Sequence, residues 1–541
     1  MSCNADLRSP LHLLRRSRRT VWVLLALSIP LAAAGDEPLR IGRITVRSVN
    51  VFSPEEAARG WLYRAANAVH FETRESVIRK FLLFREGDPY DSTRLEETER
   101  NLRALPFLKA ASVLPGPKHD GLVDVEVTTQ DAWTTQPGIS YGKKGGVTTY
   151  SFSFEEKDLL GTGRSAQVLY GKDVDRINRF VAYKDPYFFG PYWNADFLYS
   201  ANSDGTEEAV RIGRPFFSFV SPWAADLLLT HLLQDDKVFE NGEESSRFRQ
   251  SHREFQVRYG RAITASDERA RRLTAGFELL KDEFEHAPNR SADLLPDNRN
   301  FRYLFLRYED VSNDFIKLNY VNRDSRIEDF NLGRSFAATI AVSPSALGLE
   351  RTTEFVQVQG DEGWRLSQSS FLQAHVAFHT RLDDGVQNAI LSATVSYVRK
   401  FNTPLFQTLV SHLQFDEGWN LDRETQFFAD GANGLRGYRL HSFEGDKRLV
   451  WNLEHRLFTG REVLQLASFG AAVFFDAGAA TPRGQPLKLS EFKSDVGVGL
   501  RIAISRASTN NILRVDAAYP LNPDPLGRKG WLISFSSGQV F

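Results

Sequence analysis

The chain has 541 residues, and 67 Lys and Arg balance 68 Asp and Glu to leave a formal net charge of −1. That balance carries no electrostatic footprint for nucleic acid, which is excluded as an expected partner. The length is too great for one small core and requires several domains or one large closed β structure.

The first predicted element is an export signal. Arg15-Arg16-Ser17-Arg18-Arg19 precedes an apolar run from Val21 to Leu31, which ends in Ala32-Ala33-Ala34. A charged region, a short apolar core and a small-residue cleavage site predict a signal peptide over 1–34. The run is shorter than the roughly 20 apolar residues of a spanning helix. The paired arginines also fit twin-arginine export, but a barrel must reach its membrane unfolded, which favours the general secretory route. Cys3 is the only cysteine and lies ahead of the apolar run. The exported chain is therefore expected to have no thiol, disulfide or cysteine metal site.

Residues 36–130 read as one small α+β domain. Ile41, Ile44, Val46, Val49 and Val51 predict a strand, and Ser53-Pro54-Glu55-Glu56 predicts a helix with Ser as N-cap. The piece from Arg74 to Phe84 predicts a second helix stopped at Gly87-Asp88-Pro89, and Asp91 opens a third that Pro106 ends. Two strands follow, Phe107 to Leu114 and Leu122 to Thr129, with Pro115-Gly116-Pro117 and Asp120-Gly121 read as turns. The order is β-α-α-β-β with a helical insert from Pro54 to Val69.

After Trp133 the period changes to two. Thr148, Tyr150, Phe152 and Phe154 share one face, as do Val496, Val498, Leu500, Ile502 and Ile504, and again Trp531, Ile533 and Phe535. No later stretch approaches 18 uninterrupted apolar residues, yet 12% of the chain is aromatic with a mean hydropathy of −0.34. Alternating lipid-facing and lumen-facing strands reconcile those facts, so residues 131–541 are expected to form a transmembrane antiparallel β-barrel. About 26 residues per strand and connection gives about 16 strands. Aromatic clusters beside turns, such as Tyr187-Phe188-Phe189 and Tyr192-Trp193, fit interface girdles.

Chemical motifs are sparse. Gly161-Thr162-Gly163-Arg164-Ser165-Ala166 matches a dinucleotide fingerprint, but an alternating strand follows it instead of a helix, so it reads as a hairpin turn. The 11 His are scattered without metal spacing, and no nucleophile elbow or P-loop is present. No catalytic residue, metal or cofactor is expected, and the chain is read as a non-enzyme.

The most specific feature is the loop Asp430-Gly-Ala-Asn-Gly434-Leu435-Arg436-Gly437-Tyr438. The strand Val450 to Phe458 puts Asn452, Glu454 and Arg456 on one face, and Phe474 to Gly478 puts Phe474, Asp476 and Gly478 on one face. A guanidinium binds carboxylate through two parallel hydrogen bonds, so Glu454 and Asp476 are candidate acceptors for Arg436.

These motifs resemble the outer-membrane protein assembly factor superfamily of BamA and TamA. Leu159-Leu160-Gly161-Thr162-Gly163, Asp185-Pro186-Tyr187-Phe188 and Arg514-x-Asp516-x-Ala518-x-Pro520 agree with it, and Gly87-Asp88-Pro89-Tyr90, Leu102-Arg103 and Pro106-Phe107 resemble a polypeptide-transport-associated (POTRA) domain. The resemblance implies that Gly434, Leu435, Arg436, Gly437 and Tyr438 form a lumen loop lock, Arg436 docking on Glu454 and Asp476, with Gly478 on the same strand and Tyr438 packed beside it. It also implies a C-terminal signal ending at Phe541 after Gly538. The chain has room for one POTRA domain, no plug helix of the two-partner secretion kind and no fused lipase.

The first and last strands would meet at a seam. Pro137 there cannot donate a ladder hydrogen bond, and Gly138 adds backbone freedom, so the junction with the strand ending near Gly538 is expected to pair weakly. The expected function is insertion of client outer-membrane proteins, or translocation of a polypeptide, through that seam. The alternatives are a passive channel or a dedicated secretion transporter. Expected partners are outer-membrane lipid, a client polypeptide and accessory factors that bind the POTRA domain by strand addition. The expected location is the outer membrane of a Gram-negative-type bacterium, with the POTRA domain in the periplasm.

Overall fold

The computed structural model describes residues 39–541 apart from 145–146, 174–175, 289–294, 402, 404, 483, 508–511, 538 and 540–541. The signal peptide over 1–34, Cys3, Gly538 and Phe541 lie outside the described residues.

The N-terminal unit folds around a three-stranded sheet. Strands β1 (Arg40–Val49), β2 (Leu108–His119) and β3 (Leu122–Asp131) take the order β1-β3-β2, with β1 parallel and β2 antiparallel to β3. Helices α1 (Pro54–Ala57), α2 (Trp61–Val69), α3 (Glu75–Lys80) and α4 (Ser92–Ala104) follow β1. Ser53 closes a capping box on α1: its hydroxyl accepts from the Glu56 N–H, and Glu56 accepts from the Ser53 N–H. Asp91 caps α4. The core joins Ile41 and Ile44 of β1, Val77 and Ile78 of α3, Leu95 and Leu102 of α4, and Val125 and Val127 of β3.

One turn reading needs correction. Pro115-Gly116-Pro117 does not end β2; the strand runs through it with a register shift between Pro115 and Lys118. The hairpin instead turns at Asp120 and Gly121, both at positive φ. The two prolines sit on the edge strand of the sheet, where a missing N–H costs no ladder bond.

From β4 (Thr135–Lys144) onward the chain is one antiparallel sheet. Among the described residues its neighbour order contains twenty strands and closes as a barrel, with Leu532–Ser537 beside β4. This replaces the expectation of about 16. Several hairpins have two-residue turns, as between Asn194–Asn202 and Gly205–Arg214, so the repeat is shorter than an even division assumed. No helix among the described residues is long and apolar enough to cross a membrane.

The alternation predicted from sequence sorts as inside and outside. Phe152, Phe154, Val496, Val498, Leu500, Ile504, Ile533 and Phe535 are all exposed on the outer face, whereas Asn452, Glu454 and Arg456 are buried on the inner one.

The small domain sits across one mouth. Turns between barrel strands clasp it: Arg74 N–H donates to Gly161 O at 3.1 Å, Ser218 Oγ and Phe219 N–H donate to Glu97 at 2.9 Å each, and Tyr187 enters the small-domain core. The Gly161-Thr162-Gly163 segment is thus a turn against α3, not a phosphate cradle.

Candidate functional site

The loop 420–446 enters from the mouth opposite the small domain and crosses the lumen. On one side Gln426 exchanges hydrogen bonds with Phe239 of the Trp223–Glu240 strand, at 2.9 and 2.8 Å, and His441 stacks on Phe239 at 3.6 Å. On the other it reaches the strands Lys447–Val463 and Ala467–Thr481, nine and ten places away in the ring.

Asp430 organises the loop. One of its carboxylate oxygens accepts from Ala432 N–H at 2.8 Å and Asn433 N–H at 3.0 Å, and the other from His441 N–H at 2.7 Å. Both ends of the segment are thereby tied to one side chain. Gly434 turns at φ +101°, a region that favours glycine, and a Cβ there would lie 2.7 Å from Val450 Cγ1. At Gly437 a Cβ would lie 2.5 Å from Asp495 Cβ and 3.1 Å from Pro520 N, so the backbone approaches the wall closer than a side chain permits.

Arg436, presented between those glycines, is 4% exposed. Its Nε and NH2 donate to the two oxygens of Asp476 at 2.8 and 2.9 Å, and NH1 donates to Glu454 Oε2 at 2.5 Å. Its guanidinium carbon stands 3.4 Å from the centre of the Phe474 ring. Asn452 completes the cradle, its Nδ2 donating to Asp476 at 2.7 Å and to Gly434 O at 2.6 Å.

The remaining sequence-selected residues are placed as follows. Leu435 and Tyr438 are buried with Ala429 and Val450, and Tyr438 OH donates to Ser494 O at 3.0 Å. Gly478 pairs with Val450 on the neighbouring strand. Pro137 and Gly138 lie on β4, opposite Phe154 and Ser153, at the ring's first strand and apart from the Arg436 cluster.

The structure adds residues that sequence reading left out of the site. Glu454 Oε1 also accepts from Arg456 Nε at 2.9 Å and Arg501 NH2 at 3.2 Å, and Arg501 NH1 donates to Asp516 at 2.6 Å. Arg514 Nε lies 3.0 Å from Asp516, and Asp495 pairs in register with Asp476. Four guanidinium groups and the carboxylates of Glu454, Asp476 and Asp516 thus share one layer, in which opposite charges are paired that would be very costly to bury alone, while Asp495 is buried beside Asp476 with neither carboxylate oxygen hydrogen-bonded. The inward rows Asp495-x-Gly497-x-Gly499-x-Arg501 and Arg514-x-Asp516 carried the signal. At Gly499 a Cβ would collide with the Asp516 carboxylate and the Arg501 guanidinium, so the glycine leaves room for that pair.

A second infolded segment, 313–334, comes from the mouth that faces the small domain. Its hairpin pairs Phe315–Leu318 with Glu328–Asn331, and Val321 and Leu332 pack on Phe371, Val398 and Val410 of the wall. Arg456 NH1 donates to Val321 O at 2.9 Å. Arg103 of α4 donates to both oxygens of Asp329, at 3.1 and 2.7 Å. Segments from both mouths are therefore linked through Glu454, the 420–446 loop directly by Arg436 and the 313–334 segment by way of Arg456. No group in this layer offers a nucleophile with a base; the arrangement fastens chain segments to a wall.

A family model described as the Omp85 superfamily domain matches residues 158–541. Among solved structures, CdiB from Acinetobacter baumannii is 14% identical, with 93% of this chain and 74% of that chain covered and a TM-score of 0.46. CdiB from Escherichia coli is 13% identical over 92% of this chain and 76% of that chain, with a TM-score of 0.45. BamA from Haemophilus ducreyi lacking POTRA domains 1-3 is 13% identical over 92% of this chain and 84% of that chain, with a TM-score of 0.36. No curated protein sequence matches the chain.

Proposed function

The chain belongs to the Omp85 superfamily of outer-membrane β-barrels, and from that premise we propose that it passes client polypeptide, β-strand by β-strand, through an openable seam between its first and last barrel strands. In this reading residues 36–130 are a single POTRA domain in the periplasm, the sheet edge of which takes client or accessory strands by backbone pairing. The Arg436 loop is the lock that holds the wall in register while the seam moves.

The observation that carries the reading is where the chain is closed and where it is not. The lumen is crossed by 420–446 and 313–334, both bound to the Glu454 layer, which argues against free diffusion through the middle. Consecutive barrel strands are joined by covalent connections, whereas Leu532–Ser537 and β4 meet without one. That last strand has six described residues, and β4 carries Pro137 and Gly138. A short partner and a missing donor leave few ladder bonds to break, and exposed strand edges template incoming backbone that lipid cannot satisfy.

The test is a seam lock. Cysteine pairs are placed between β4 and Leu532–Ser537 in a chain carrying Cys3→Ser, and pairs that oxidise are assayed for rescue of a depleted strain. Loss of rescue when oxidised, restored by reductant, supports the proposal; full rescue by a locked barrel overturns it. The outer-membrane and secreted proteomes after depletion then separate the two client classes. A broad loss of barrels marks an insertase, and loss of one exported protein marks a dedicated transporter.

A further inference from the structure

The helical insert turns its apolar side away from the protein. Asn67 of α2 faces inward, where its carbonyl accepts from Phe52 N–H at 3.1 Å and its amide donates to Phe52 O at 2.8 Å. Tyr63 also faces inward, its ring 4.9 Å from that of Phe52 and its hydroxyl donating to Leu464 O at 3.0 Å. Outward stand Trp61 at 68% exposure, Leu62 at 56% and Val69 at 70%, with Ala65 and Ala68 exposed between them and Phe71 just beyond. At about 100° per residue those five helical positions share an arc of about 120° with no charge in it. A helix on a water-facing domain has the opposite arrangement.

Position supplies the occupant. Leu464 lies in the turn between the strands Lys447–Val463 and Ala467–Thr481, and Val463, Leu464 and Leu466 are all exposed there. The outward rows of the same two strands carry Trp451, Phe469 and Val473, so the apolar surface of α2 continues that of the barrel wall. Arg506, in the next turn on that mouth, binds Glu56 at 2.6 Å and Val51 O at 3.3 Å and pins the insert to the rim. Arg59 and Arg64, just before and within α2, and Arg461, three residues before the Leu464 that Tyr63 contacts, are exposed, which suits anionic headgroups.

We propose that α2 lies flat in the boundary between headgroups and acyl chains of the phospholipid leaflet that surrounds the small-domain mouth, and so anchors that domain to the membrane beside the barrel. A helix with a wholly apolar outer face, a terminal Trp and flanking arginines partitions to that depth. The proposal rests on the reading of the barrel as membrane-spanning.

The test uses the full chain with Cys3→Ser in phospholipid bilayers, carrying an environment-sensitive fluorophore at Val69→Cys, Leu62→Cys or, as the barrel reference, Val473→Cys. Nitroxide on the lipid and iodide in the water serve as quenchers. The expected result is loss of emission to the lipid-borne quencher at all three positions, with shallow nitroxides most effective at 62 and 69 and iodide ineffective there. Quenching of 69 by iodide with lipid quenching retained at 473 overturns the proposal and leaves the barrel reading intact; failure at 473 overturns both. Shielding of 69 in native membrane fragments but not in pure phospholipid also overturns it, because a protein then covers the face. As a second measurement, Leu62→Glu with Val69→Glu is expected to expose 54–71 to protease in bilayers while the heat-resistant barrel mobility is kept. Unchanged protease resistance in that variant overturns the anchor.

Discussion

Arg436→Ala is expected to release the lumen loop and leave the barrel folded. The side chain donates three hydrogen bonds to two buried carboxylates. Their gross strengths overstate the effect, because the bonds formed in exchange for lost hydration, and the useful question is which charge is left alone. Glu454 keeps Arg456 and Arg501. Asp476 keeps the Asn452 amide but has no other cation within ion-pair distance among the described residues. One buried carboxylate is therefore orphaned, a change worth about 3–5 kcal/mol. At about 1.4 kcal/mol per tenfold, amide hydrogen exchange across 430–443 should accelerate by roughly 10²–10⁴. Adding Asp476→Asn removes the orphaned charge and should restore about half of the lost protection. Unaltered exchange in Arg436→Ala, or a double variant as loose as the single one, would refute this account of the cluster.

Three other outcomes follow from the same geometry. Glu454→Gln removes the negative charge shared by three arginines and turns one of its two acceptor oxygens into a donor, and should accelerate exchange in both 319–326 and 430–443, where Arg436→Ala affects the second alone. Arg103→Ala breaks a largely buried two-point ion pair with Asp329; it should loosen 315–331 by roughly 1–3 kcal/mol without altering the Arg436 loop, as read by the same exchange experiment. Asp131 lies fully buried at the end of β3, and burial pushes its carboxyl up to about 7 against the opposing hydrogen bond from Thr73. A raised acid takes up a proton on folding, so its contribution is complete below about pH 4 and falls by up to about 1.4 kcal/mol per pH unit towards pH 7. His70, held below its usual range by burial, acts in the opposite direction and is present in both chains. As the pH rises from about 4 to about 7, Asp131→Asn should therefore gain stability relative to the parent, with no further gain above that window, checked by urea midpoints for small-domain proteolysis in the full chain.

Local and periodic features were legible in the linear chain. The Ser53 and Asp91 caps, the β-α-α-β-β order and the two-residue alternation each depend on residues a few places apart, and the inward rows of Asn452, Glu454 and Asp476 follow from the pleat alone. Pro115-Gly116-Pro117 misled because turn chemistry is also edge-strand chemistry, and which one applies depends on whether a neighbour needs the missing N–H. The number of strands depends on hairpin lengths that composition does not record.

What the sequence determined by itself was which side chains share a face, and so that Glu454 and Asp476 are candidate acceptors for Arg436. Only tertiary structure decided that Arg501 and Asp516 join them, that 313–334 reaches Arg456 from the other mouth, and that α2 faces outward. Those contacts link residues tens to hundreds of positions apart, and their existence rests on the closure of a ring that no local pattern encodes.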